Sequence, residues 1–320
     1  MLIFSAILTT YCSTLILQVR EDTKSSSYTD IGKKLYGKWG KTGVNIALAC
    51  SQFGFCCSYI YFIMINISHV FYQAFYVDWD RNSVAMVVLI LFGLLVFVRR
   101  IEIFASTHIF ADVMILLTVI IIMMFGIGRM WNDGTMISTI PFLNMHSYSE
   151  AIGFSVYAYE GIGMIMPVQD ITKHPETYHK VVYAVILTVC LVYIIFGQFC
   201  VFAWGSDMKT PLITDQLPDG FISYSIKILF CLNLFFSYPL QLYPVNIIVD
   251  NILFMGWEKT PTRQFCKNIS RSIIVALSII VTIMLGDKLD KFLSILGALT
   301  CTPIAFTFPA LFHYKSSAKT

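Results

Sequence analysis

Residues 180–204, KVVYAVILTVCLVYIIFGQFCVFAW, carry no charged side chain after Lys180. A helix rises 1.5 Å per residue, so about 20 apolar residues cross the hydrocarbon core of a bilayer. This run is long enough, and its apolar residues are continuous where a barrel strand would alternate. Hydrocarbon offers the backbone no hydrogen bonds, so a spanning segment is a helix or part of a closed barrel. Continuous apolarity selects the helix.

Outward from that run the same pattern recurs. Further apolar stretches lie at about residues 2–18, 43–71, 83–98, 104–126, 149–168, 221–254, 272–286 and 290–313. The third and eighth of the nine are short, and the seventh, 221–254, is long enough to tilt strongly. Of all residues 57% are apolar and 13% charged, against about a quarter charged in a soluble domain. The expected fold is therefore all-α and integral to a membrane: a polytopic helix bundle in one transmembrane domain over residues 1–320. Eight of the nine cysteines fall inside apolar runs and Cys266 in a basic loop, so all read as small buried hydrophobes. A net charge of +3 gives no reason to expect nucleic acid. The chain has no phosphate-binding glycine loop, metal-ligand cluster or nucleophile elbow, so an enzyme is not expected.

Cations set the sidedness, because cytosolic loops are rich in Lys and Arg. One set of alternate loops holds 16 of them, from Arg20, Lys24, Lys33, Lys34, Lys38 and Lys41 through Arg99, Arg100, Lys173, Lys180, Lys259, Arg263, Lys267 and Arg271 to Lys315 and Lys319. The opposite set holds five: Arg81, Arg129, Lys209, Lys288 and Lys291. The C-terminus is then cytosolic, and nine spans leave Met1 on the far side. That anomaly predicts a further helix upstream of Met1, and so a fragment.

Ionisable residues at membrane depth are costly and serve as functional candidates by default. Glu160 lies mid-span in Tyr157-Ala158-Tyr159-Glu160-Gly161-Ile162-Gly163, with Pro167 one turn later. One reading is a helix that breaks at membrane depth, freeing backbone N–H and carbonyl groups for a zwitterion. The other is close helix packing at Gly161 and Gly163, with Glu160 bonded to a neighbouring helix. A carboxyl group held there is also a candidate proton carrier. Gln52, Gly54, Tyr59 and Asn66, with Ser51 and Ser58, form a polar streak that either lines a pathway or bonds to a neighbour. Pro239 and Pro244 free carbonyls around Ser237 in the seventh span. Lys227 is expected to snorkel to the interface. Asp112, Asp170 and Asp250 fall near cytosolic span ends, within reach of water. The sequons at Asn66 and Asn268 are an embedded and a cytosolic position, so neither is expected to carry glycan.

At this point the motifs form a pattern. Ala158-Tyr159-Glu160-Gly161-Ile162-Gly163, Met166-Pro167 and Lys173-His174-Pro175 resemble the sixth-helix signature of the amino acid/auxin permease family. The similarity is closest to its proton-coupled amino acid transporters and vacuolar exporters. Tyr28-Thr29-Asp30-Ile31-Gly32, Gln52-Phe53-Gly54-Phe55-Cys56, Asn66, Tyr238-Pro239, Tyr243-Pro244, Leu296-Gly297-Ala298 and Pro309 agree in order. The resemblance implies about eleven helices in two inverted five-helix repeats, with substrate between broken first and sixth helices. The nine spans would be helices two to ten, so the repeat is incomplete, lacking the first and last. It implies proton-coupled transport of small neutral amino acids by alternating access, a bundle rocking against a scaffold. Gly161 and Gly163 would bind the substrate through backbone, Glu160 would carry charge, and Tyr157, Tyr59 and Ser237 would shape the pocket. Amino acid and membrane lipid are the expected partners, with no cofactor and a proton gradient as driving force. A vacuolar or lysosomal membrane is expected, the plasma membrane being the alternative. The rival functions are a non-transporting amino acid sensor or regulatory membrane protein, and an inactive truncated isoform.

Overall fold

The computed structural model describes residues 1–77, 79–95, 101–135, 148–208, 212–258, 260–286 and 288–318. Among the cations counted for sidedness, Arg99, Arg100, Lys209, Lys259 and Lys319 lie outside them. Regular structure among the described residues is helical throughout. The helices are α1 (Leu2–Thr23), α2 (Tyr28–Phe75), α3 (Arg81–Leu95), α4 (Ile101–Asp133), α5 (Tyr148–Ala158) and α6 (Ile162–Ile171). There follow α7 (Tyr178–Trp204), α8 (Phe221–Leu253), α9 (Pro261–Leu285), α10 (Leu289–Leu296) and α11 (Phe308–Ser317). Seven helical segments among the described residues are long and apolar enough to cross a membrane. Large apolar side chains such as Phe4, Leu94, Leu116, Leu187 and Ile195 are exposed. A water-soluble protein would not tolerate so many exposed apolar side chains, whereas lipid accepts them.

The chain divides into two compact units. The first comprises Met1–Ser51, Leu143–Gly197 and Asp290–Thr320. Here α1 packs along α11 and touches α5 and α6. Between α10 and α11 the helix widens into two π-turn segments, Gly297–Cys301 and Pro303–Thr307. Pro309 has no N–H to give the carbonyl five residues back. The Tyr28 hydroxyl donates to that Ile304 carbonyl instead, at 2.7 Å. Early in α2, Gly37 adopts φ 65° and ψ −145°, a region that favours glycine. The bend brings Gly40 so close to Gly32 that a Cβ on Gly40 would lie 2.2 Å from the Gly32 carbonyl oxygen.

The second unit comprises Gln52–Phe142 and Gln198–Leu289. Its core is a cluster from α2, α3, α8 and α9 that includes Cys56, Ile60, Met64, Val88 and Val275. The rings of Phe92 and Tyr238 stack at 4.0 Å between centroids, and the Tyr238 and Ser278 hydroxyls bond at 2.9 Å. Lipid is as apolar as these side chains, so dispersion and interhelical hydrogen bonds hold such helices together. α8 stays helical through Pro239 and Pro244. The polar streak of α2 is bonded within the protein: Gln241 donates to Gln52 at 2.6 Å, and Asn66 gives its amide to Phe62 O and accepts from Thr214.

Three expectations change here. Lys227 does not snorkel, since it is 2% exposed and its Nζ lies 3.7 Å from Asp215 Oδ1, which also meets His69 Nδ1 at 3.0 Å. The carboxylate on the short helical turn Ile213–Gln216 holds the ammonium inside the unit. Removing that partner strands a buried charge, so Asp215→Asn should cost about 3 kcal/mol in thermal unfolding, more than Lys227→Met. Cys266 lies in α9, not a loop: Thr260 caps a helix that begins at Pro261, and charge at residues 263–271 had masked its start. Cys50 faces outward, while seven of the nine cysteines are buried. Finally, Asp250 is buried and ion-paired with Lys267 and Arg271, and Asp170 pairs with Arg20. Asp112 is exposed.

Candidate functional site

The helical run through residues 148–171 is interrupted. α5 stops at Ala158 and α6 starts at Ile162, with Tyr159, Glu160 and Gly161 between them. Of the two readings of Glu160-Gly161-Ile162-Gly163, the break is the observed one. Gly161 caps α6 but has no side chain to offer its first N–H groups, so these lack both an intrahelical and a side-chain cap partner. They form the positive end of the helix dipole. On the α5 side, Tyr193 on α7 donates to the Ala158 carbonyl at 3.3 Å, holding one freed acceptor.

A cavity of about 420 Å³ opens at the break. α1 contributes Thr9 and Ser13, the break contributes Ala158 to Ile162, and α7 contributes Tyr178, Val181, Val185 and Val189. Two enclosed oxygens at its wall have no hydrogen-bond partner among the described residues, Thr9 Oγ1 and Glu160 Oε1, and Tyr159 OH has only the Cys190 thiol beside it. Unpaired buried polar atoms are costly, a carboxylate most of all. Their convergence on one cavity marks a place where a polar ligand or proton completes the bonding. Glu160 supplies the carboxyl group of an otherwise apolar and hydroxyl-bearing wall.

Of the residues expected at the site, Glu160 and Gly161 line this cavity. Gly163 packs against Leu48, whose Cδ2 would be 3.1 Å from a Cβ there, and Tyr157 sits beside Gly297. Tyr59 and Ser237 belong to the second unit, where Tyr59 packs on the aliphatic core and Ser237 donates to Asn233 at 3.2 Å. Sequence reading missed Thr9, Ser13 and the α7 valines. Hydroxyls of that kind usually bond to the carbonyl four residues back, as Ser13 does to Thr9 O at 2.7 Å, so nothing local sets Thr9 apart.

At the far end of α6 a single arginine ties the broken helix to α1. Arg20 bonds to Gln169 and Asp170 and reaches the Met166 carbonyl at 3.4 Å. Gln169 and the carbonyl keep their contacts when the acid is neutralised, so Arg20→Ala should lower the melting temperature more than Asp170→Asn. A scan of both variants in detergent checks this order.

A polytopic helical bundle whose broken helix presents a buried carboxylate to a cavity is the architecture of a membrane transporter. The chain belongs to the family described as transmembrane amino acid transporter protein, whose model matches residues 1–320. It is a multi-pass membrane protein of a transporter family, not of an enzyme family. It is 30% identical over 324 residues to Vacuolar amino acid transporter 3 of Saccharomyces cerevisiae, covering 99% of this chain and 46% of that protein. Against Vacuolar amino acid transporter 3 of Schizosaccharomyces pombe the identity is 28%, covering 99% and 48%. Against Amino acid transporter AVT3B of Arabidopsis thaliana it is 28%, covering 96% and 75%. The chain spans about half the length of the two yeast relatives.

Proposed function

We propose that the protein moves small neutral amino acids across a vacuolar membrane by alternating access, coupled to protons, with its C-terminus in the cytosol. The observation that carries this reading is the unpartnered Glu160 carboxylate at a cavity beside a broken helix. A zwitterion needs an anion for its ammonium and N–H donors for its carboxylate. Glu160 supplies the first and the start of α6 the second. The apolar wall of Val181, Val185 and Val189 suits an uncharged side chain. The relatives' names support an amino acid as cargo and a vacuole as the place. The cation-rich loops support the cytosolic C-terminus.

The test is flux of radiolabelled alanine and other amino acids in proteoliposomes, with and without an imposed proton gradient. Gradient-dependent accumulation or efflux supports the reading. Saturable binding without flux would overturn it in favour of an amino acid sensor.

A further inference from the structure

On the side away from the cavity, α7 carries a polar side chain with no hydrogen bond among the described residues. The helix is unbroken from Tyr178 to Trp204. Ala184, Thr188, Leu191, Ile195, Gln198 and Phe202 follow one another at spacings of four and three residues, and all are exposed. At about 100° per residue they fall within about 40° of one line along the helix. Of the cavity wall, Val182, Ile186, Val189 and Tyr193 lie about 140° or more around from that line, and Val181 stands at the edge between the two sides. Alternating spacings of four and three are those of a helix-to-helix seam, where side chains of one helix insert between those of another.

Gln198 lies about 10 Å along the axis from Leu191, the middle of α7, and so within the roughly 15 Å half-thickness of a hydrocarbon core centred there. Its amide has two donors and a carbonyl oxygen, and makes no hydrogen bond among the described residues. Lipid tails satisfy neither, so the group stays costly until a polar partner meets it at that depth. The Thr188 hydroxyl is already spent on the Ala184 carbonyl, at 2.8 Å, which leaves Gln198 as the open polar group of the line. Two copies inserted the same way are related by a two-fold axis along the membrane normal, so their α7 helices run parallel and each seam residue meets its own counterpart. Glutamine suits that arrangement, because one neutral group holds both donor and acceptor, whereas a charge would face its like.

We propose that α7 pairs with α7 of a second copy along the seam from Ala184 to Phe202, each Gln198 amide N–H donating to the side-chain carbonyl oxygen of the partner's Gln198. Ala184 lets the backbones approach at one end, and Leu191 and Ile195 supply dispersion between the helices. The seam is separate from the broken helix and does not depend on the transport reading.

Reconstitution of the purified, singly labelled protein into liposomes tests it, with photobleaching steps counted over a range of protein-to-lipid ratios. Dimers should form as the ratio rises, and Gln198→Leu should weaken them about tenfold, the loss of two interhelical hydrogen bonds. Leucine suits a lipid-facing position, so an unchanged melting temperature and a monodisperse elution serve as the folding control for that variant. Copper-catalysed cross-linking in the same liposomes needs no change at Gln198 and places the seam. With the exposed native Cys50 changed to Ser, Ile195→Cys should cross-link and Val192→Cys, about 80° from the line, should not. Single bleaching steps at every ratio overturn the proposal, as does dimerisation of folded Gln198→Leu equal to that of the unmodified protein. Equal cross-linking at positions 192 and 195 overturns it as well, because contact would then not be confined to the seam.

Discussion

Proteoliposomes carrying Glu160→Gln are expected to lose gradient-driven accumulation of amino acid while gradient-independent exchange persists at a raised KM, because the glutamine carbonyl still accepts from the substrate's ammonium but no longer bears charge. Glutamine keeps the size of the side chain and a carbonyl oxygen for the same cavity, but it neither gains nor loses a proton. Coupling between two bound species is usually about 5- to 150-fold in affinity. A loss of about tenfold or more in the gradient-dependent component is therefore the expected size. Two roles of Glu160 separate in this experiment. If it acts only as the ammonium's partner, exchange and accumulation fall together. If it carries the proton, accumulation falls and exchange persists. Accumulation that responds to the gradient as in the unmodified protein would remove Glu160 from proton coupling.

The largest structural effect is expected at the crossing of α5 with the π-turn segment after α10. A Cβ on Gly297 would sit 1.9 Å from the Gly153 carbonyl oxygen, and one on Gly153 would sit 2.3 Å from the Ser294 carbonyl oxygen. Real Cβ contacts essentially never fall below 3.0 Å, and both obstacles are backbone. No rotamer change relieves them, so the two segments must separate. Small residues allow such close approach in membrane helices, where dispersion at short range replaces the hydrophobic drive. Gly297→Ala is expected to cost about 3 kcal/mol or more. In fluorescence-detected size exclusion it should appear as aggregate or as a sharply lowered melting temperature. Gly197→Ala is the control, since a Cβ there meets nothing within 4 Å. That change should be neutral or slightly stabilising, because alanine favours the helix. A monodisperse Gly297→Ala protein with an unshifted melting temperature would show that the crossing is looser than the backbone geometry requires.

Much of the fold is legible before any coordinate is known. The apolar runs coincide with helices because a chain in hydrocarbon has one local way to satisfy its own backbone. The break at Tyr159-Glu160-Gly161 is legible as one of two readings, since two glycines and a carboxylate inside an apolar run suit either an interrupted helix or a close helix contact. Charge conceals other elements, because a charged stretch reads as loop. The start of α9 hid among Arg263, Lys267 and Arg271, although Thr260 and Pro261 are recognisable start signals. Lys227 reads as an interface residue because its partner, Asp215, sits in a connecting segment whose return to the helix side carries no periodic signal.

By itself, then, the sequence determined the solvent of this protein and its helical class, and narrowed Glu160-Gly161-Ile162-Gly163 to a helix break or a close packing. These are local properties, set by apolar length and by backbone chemistry within a few residues. Tertiary structure alone decided that Thr9 from α1 and the valines of α7 share a cavity with Glu160, that Asp215 buries Lys227, and that Gly153 and Gly297 touch backbone to backbone. Each of these joins segments whose local patterns are ordinary, and only packing brings their atoms within reach.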